Sequence, residues 1–167
     1  MKKIAFFLIL FLLSSIQTKG QITKTTDYGV FSFTYPSNIV SSKAKMQEGF
    51  VMALESDKCF ISASLTDLLI DGFSIWDDEF YNEIKGMKTQ GVKLLKIEKL
   101  MTTTKSGKRK CIRTISDVNT EWKSFIVQYS FIHKTNLINV QFVFPNSPNQ
   151  MSFIPYTEEL IKGIRFK

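Results

Sequence analysis

Phe125, Val127, Tyr129 and Phe131 alternate with Ile126, Gln128, Ser130 and Ile132. A period of two places the first set on one face of a strand and the second on the other, so one face is wholly apolar and its reverse is mixed. The segment, Trp122 to His133, is one of four long β-type runs separated only by short turns. Val92 to Thr103 leads into Lys105-Ser106-Gly107-Lys108, and Lys110 to Val118 returns. Asn119-Thr120 precedes the alternating strand, and Lys134-Thr135-Asn136 precedes Leu137 to Phe144, which Pro145 stops. Connections this short join antiparallel neighbours, because parallel ones need a crossover of about a dozen residues. The chain is therefore expected to build a β meander.

The flanking sequence supplies the other elements. Val30 to Tyr35 has strong strand composition, follows an Asp27-Tyr28-Gly29 turn and ends at Pro36. Phe50 to Glu55 and Cys59 to Leu65 read as a hairpin closed by Ser56-Asp57-Lys58. Ser74-Ile75-Trp76-Asp77 has the outline of a capping box. Trp76, Phe80, Ile84 and Met87 then follow as one apolar helix stripe, with Gly91 placed to end it and Gly86 loosening its last turn. Ser147-Pro148-Asn149-Gln150 opens a final helix expected to run to Lys162, kinked at Pro155, burying Phe153, Tyr156, Leu160 and Ile164. The expected class is α+β, one domain over residues 21–167, without repeats or linkers.

Residues 1–20 read differently. Met1-Lys2-Lys3 precedes ten unbroken apolar residues, Ile4 to Leu13, and Thr18-Lys19-Gly20 suits signal peptidase. The run is too short for an anchor, which needs about 20 apolar residues. The expectation is a signal peptide cleaved after Gly20. Neither cysteine, Cys59 or Cys111, lies near that point, so a lipoprotein is not expected. The mature chain is expected to be soluble in the periplasm or secreted. Of the net +7, three charges belong to Lys2, Lys3 and Lys19, leaving 19 basic against 15 acidic residues, or +4. The high pI is thus no nucleic-acid signal. In an oxidising compartment Cys59 and Cys111 either form one bridge, closing a loop of about 50 residues, or remain two buried thiols.

The order of elements resembles a family. Gly29-Val30-Phe31-Ser32-Phe33-Thr34-Tyr35-Pro36, a hairpin, a helix, the meander and a last helix running into Ile161-Lys162-Gly163-Ile164-Arg165-Phe166 look like the Mog1/PsbP-like α/β/α sandwich of small exported bacterial proteins. The resemblance implies a chain without catalysis, since that group consists mostly of accessory subunits, chaperones and protein-binding modules.

The residues themselves offer little chemistry. His133 is the only histidine, and HExxH, GxSxG, CxxC and glycine-rich phosphate loops are absent. Asp71, Asp77, Asp78 and Glu79 offer oxygen ligands to a hard cation, but their spacing is not that of a calcium loop, and helix-start acids explain three of them. No catalytic residue, metal or cofactor is expected. Lys105, Lys108, Arg109 and Lys110 bracket a hairpin tip, where they either meet an acidic partner or form a solvated turn that blunts edge pairing. Trp122, at the opposite end of the same strand, either anchors a partner or covers the sheet edge. The expected function is an exported, non-enzymatic accessory protein binding an envelope or secreted protein through these five residues. Alternatives are a periplasmic immunity protein against a delivered toxin and a carrier of an apolar small ligand, the latter suggested by 12 Phe beyond residue 20. Neither nucleic acid nor a stable membrane span is expected.

Overall fold

The computed structural model describes residues 22–43, 49–69, 72–87, 89–121, 123–145 and 150–167. The expected signal segment, Asp71, Trp122 and the helix-start signal at 147–149 lie outside them. The elements in order are strands β1 (Thr23–Asp27), β2 (Phe31–Pro36), β3 (Val40–Ser41), β4 (Phe50–Glu55) and β5 (Phe60–Asp67), helix α1 (Asp78–Gly86), strands β6 (Val92–Thr104), β7 (Gly107–Val118), β8 (Ser124–His133) and β9 (Asn136–Pro145), a 3-10 turn (Gln150–Phe153), helix α2 (Ile154–Ile161) and strand β10 (Ile164–Phe166).

Among the described residues every strand pairing is antiparallel. Seven strands form one sheet in the order β3-β4-β5-β9-β8-β7-β6, and β1-β2-β10 form a second. The alternation in β8 sets the layering. Phe125 pairs with Phe144, Val127 with Phe142, Tyr129 with Val140 and Phe131 with Ile138, so these eight residues share the front face. All are buried and belong to one cluster with Phe31, Phe33 and Tyr35 of β2, Leu160 and Ile161 of α2, and Ile164 of β10. The three-stranded sheet and α2 therefore cover the front. The rings pack on one another: Tyr129 meets Phe142 edge-on at 6.1 Å, and Phe144 stacks on Phe153 at 4.5 Å.

The back face is the mixed one. Gln128, Ser130, Asn139 and Gln141 bond to one another across β8 and β9. Toward β6 and β7 the back face carries the α1 segment. Lys99, on the face of Ile112, reaches the Trp76 carbonyl at 2.6 Å and Asp78 at 2.7 Å.

Several local expectations are corrected. Ser74 does not cap a helix: its amide and Oγ close a turn with Asp77 and Trp76, and α1 begins only at Asp78 without a side-chain cap. None of its residues is buried, and Met87 is 63% exposed, so the apolar stripe lies shallowly on the sheet. Pro155 does not kink the last helix. It sits in the first turn of α2, where a missing N–H costs nothing. Ile164 belongs to β10, opposite Phe33, and not to the helix. Strands β1 and β3 were not expected.

The bridge left open between Cys59 and Cys111 is not made, and both are free, buried thiols. Cys59 enters β5 and Cys111 lies in β7, with β9 and β8 between them. Three strand spacings put them on the order of 14 Å apart, beyond the roughly 7 Å that a disulfide spans.

Candidate functional site: a basic cleft at the β6–β7 turn

The turn between β6 and β7 needs Gly107, whose φ of 88° is the left-handed conformation that side chains resist. Two backbone-level ties hold the turn to β10. The Lys105 amide donates to the Ile164 carbonyl at 2.8 Å, and Ser106 Oγ accepts the Phe166 amide at 2.9 Å. Lys105 also spends its ammonium on Thr34 Oγ1, 2.8 Å away in β2. Of the four expected cations it is thus a structural one.

The other three leave the turn in alternation. Arg109 pairs with Thr102 on the front face, and Lys108 and Lys110 lie on the back. Arg109 lies over the Phe166 ring at 5.4 Å and Lys110 over the Trp76 ring at 4.9 Å, so aromatic faces hold both charges in place. Between them opens a cleft of about 410 Å³, walled by Phe73 and Ser74 before α1, by Met101 and by the end of β8. Phe73 and Met101 are 47% and 49% exposed. His133 lines the same cleft. Its Nε2 lies 2.5 Å from the Lys167 main-chain oxygen, and its ring is 5.4 Å from that of Phe166.

No Asp or Glu side chain is among the described residues that line the cleft. Lys96, Lys99, Arg113, Lys162 and Lys167 each face a carboxylate elsewhere on the molecule. Lys108, Arg109 and Lys110 face none among the described residues. Arg109 Nε is buried without a hydrogen-bond partner.

The remaining expected residues fall elsewhere. Asp77 closes the Ser74 turn and Asp78 binds Lys99. Among the described residues no group of three or more His, Cys, Asp or Glu is placed to hold a metal ion. Burial pushes the Cys59 thiol up to about 11 and the Cys111 thiol up to about 12, so both stay protonated and unreactive at neutral pH. Residues flanking Trp122 lie beyond Val118, at the far end of β7 and roughly 35 Å from the turn at strand rise. Phe73, Met101, His133 and Phe166 were not expected at the site. Met101 was within reach of the sequence, because closing the hairpin at Lys105-Ser106 sets it opposite Lys110.

No protein-family model and no curated protein matches the chain. Solved structures do. The cyanobacterial PsbP (CyanoP) of Synechocystis sp. PCC 6803 is 11% identical over 93% of this chain and 99% of that one, with a TM-score of 0.52. The Ran-binding protein Mog1p of Saccharomyces cerevisiae is 9% identical over 88% of this chain and 96% of that one, with a TM-score of 0.50. The fold is the Mog1/PsbP-like sandwich. A protein of Bacteroides thetaiotaomicron VPI-5482 shares it at 14% identity over 87% of this chain, with a TM-score of 0.52. The chain spans about half the length of that protein, 48%. At these identities the Mog1/PsbP-like likeness is one of architecture, and what the surface does must be argued from this chain's own residues.

Proposed function

We propose that this chain is an exported, non-enzymatic accessory protein that binds another protein of the envelope or a secreted one, with the basic cleft as its binding surface. The observation that carries the reading is the set Lys108, Arg109 and Lys110, unpaired with described acids around a cleft whose apolar side chains, Phe73 and Met101, stand half-exposed. Cations beside exposed apolar groups supply both steering and burial to a protein partner. The export half of the reading rests on residues 1–20, with their positive start, apolar run and Thr18-Lys19-Gly20. One protein of the same fold is named for Ran binding, so the architecture serves protein recognition elsewhere. The carrier alternative gains nothing from the seven phenylalanines of the core cluster, which are buried between the two sheets.

The test is site-directed crosslinking in the native host. A photoreactive residue at Met101 is expected to capture a discrete protein partner, and one at Leu95, on the exposed far half of β6, is not. N-terminal sequencing of the purified chain is expected to begin at Gln21. No crosslinked protein from Met101, or an intact Met1 on membrane-bound chain, overturns the corresponding half of the proposal.

A further inference from the structure

The identity of the partner's contact segment follows from the chemistry of the cleft, and this step rests on the protein-binding reading above. We infer that the cleft takes an acidic peptide segment in which a carboxylate neighbours a large apolar side chain. The carboxylate is received at Arg109, flanked by Lys108 and Lys110, and the apolar side chain by Phe73 and Met101.

Arg109 lines the cleft, and its Nε is buried without a hydrogen-bond partner, so the guanidinium charge is only partly compensated by the protein. No described Asp or Glu side chain lines the cleft to complete the compensation. A carboxylate from outside, entering the cleft beside Arg109, Lys108 and Lys110, neutralises the local positive charge through charge-assisted bonds. The guanidinium rests on Phe166 and the Lys110 ammonium on Trp76, so little side-chain freedom is lost when the ligand arrives.

The apolar half decides between anions. A free phosphate or a sulfated glycan satisfies the cations and leaves Phe73 and Met101 in water. An anionic peptide with an apolar side chain covers both. The cleft, at about 410 Å³, lies at the lower end of the range for small-ligand sites and suits a few side chains of a segment, not a folded surface.

The experiment is a binding titration of the purified, full-length chain with three synthetic hexapeptides. One alternates glutamate with phenylalanine, one replaces glutamate by glutamine, and one replaces phenylalanine by serine. The first is expected to bind at least about tenfold more tightly than either analogue and to weaken steeply with added salt. Lys108→Glu/Lys110→Glu, two exposed positions, is expected to abolish binding. Phe73→Ser is expected to weaken the first peptide and leave the serine analogue unchanged. Lys93→Glu/Lys123→Glu, a charge-matched double change at the far end of the sheet, is expected to alter nothing. Equal binding of all three peptides overturns the inference. So does tighter binding to heparin or to phosphatidylglycerol vesicles than to the first peptide, retained in Phe73→Ser. If a partner crosslinks at Met101 but docks equally on Lys108→Glu/Lys110→Glu, the accessory-protein reading stands and this assignment falls. If the first peptide binds as described and no partner crosslinks, the assignment stands and the accessory-protein reading falls.

Discussion

Arg113 of β7 donates to Glu158 of α2 across 2.5 Å, while its Nε and Nη2 reach one carboxylate oxygen of Glu98 on β6 at 3.0 and 2.7 Å. One guanidinium thus joins two strands of the large sheet to the helix that closes the front. Tyr129 lies beneath it and donates to Thr157 Oγ1 at 2.9 Å, and Thr157 in turn donates to the Ile154 carbonyl. The group is 11% exposed, so its bonds are sheltered from water and its loss is felt.

Arg113→Met is expected to lower stability by about 1–3 kcal/mol, because it cuts the link between β6, β7 and α2 and leaves the Glu98 carboxylate with Lys96 alone. Glu158→Gln is expected to cost less than about 1 kcal/mol, since that carboxylate is half-exposed. Urea denaturation at neutral pH checks both. The acid limb is a second readout. Burial pushes the Glu98 carboxyl upward, but bonds from Lys96 and Arg113 outweigh it and hold the group below the ordinary glutamate range. A lowered folded value means stability that is present above the unfolded pKa and lost as pH falls through the folded one. The wild type is therefore expected to weaken below about pH 4.5, and Arg113→Met to show a shallower fall over the same window.

Gly163 is required by contact and not by its backbone angle. The Thr34 amide donates to its carbonyl at 3.0 Å, and a Cβ added at Gly163 would lie 1.9 Å from the Thr34 carbonyl oxygen. Gly163→Ala must push β2 away from the turn between α2 and β10, at an expected cost of about 3 kcal/mol. Gly86→Ala, which meets open space at the end of α1, is expected to be neutral or to stabilise by up to about 1 kcal/mol. Thermal midpoints of the pair separate steric need from general loss of flexibility.

The thiols give a prediction at the other end of the pH scale. The folded chain holds Cys59 and Cys111 neutral up to about 11 and about 12, whereas the unfolded chain ionises them nearer 8.5. A raised folded pKa gives stability that is complete below the unfolded value and lost as pH rises through the folded one. Stability is expected to fall between about pH 9 and pH 12, less so in Cys111→Ala. At pH 8 a thiol reagent is expected to label both residues only in denaturant, and reductant to leave the thermal midpoint unchanged.

The meander was legible because alternation, short turns and Pro145 all specify the same thing: Phe125, Val127, Tyr129 and Phe131 can face one way only, and a slip by one residue would bury Gln128. Strand β1 was hidden because Thr23 to Asp27 is polar throughout. It is held by its pairing with β2 and not by a buried face of its own. The C-terminal Ile164 fitted a helical spacing with Leu160, and only the distant Phe33 decides that it is a strand. The basic half of the cleft could be read from Lys108-Arg109-Lys110. Of its apolar half only Met101, opposite Lys110, was within reach, since Phe73, Phe131 and Phe166 come from segments far apart in sequence.

The rim of the cleft is secured by few buried side chains, Ile75 among them. Phe73 and Ser74 lead into α1, which buries none of its residues and lies on the sheet through Lys99 and Trp76. Trp76 is the pin: its Nε1 donates to the Cys111 carbonyl at 3.1 Å, and Lys110 rests on its ring. A helix held by so few buried contacts opens locally at a free energy far below that of the whole fold. Amides of α1 are expected to exchange with solvent at least about a hundredfold faster than those of β8, whose apolar face is sealed. Trp76→Phe keeps the ring under Lys110 and removes only the hydrogen bond, so it is expected to cost about 1 kcal/mol. Trp76→Ala removes both. It is expected to speed α1 exchange further, leave β8 exchange near wild type, and weaken binding at the cleft, because Lys110 loses its seat and Phe73 its anchored neighbour. Equal slowing of exchange in α1 and β8 would mean that the helix is part of the cooperative core and the rim is rigid.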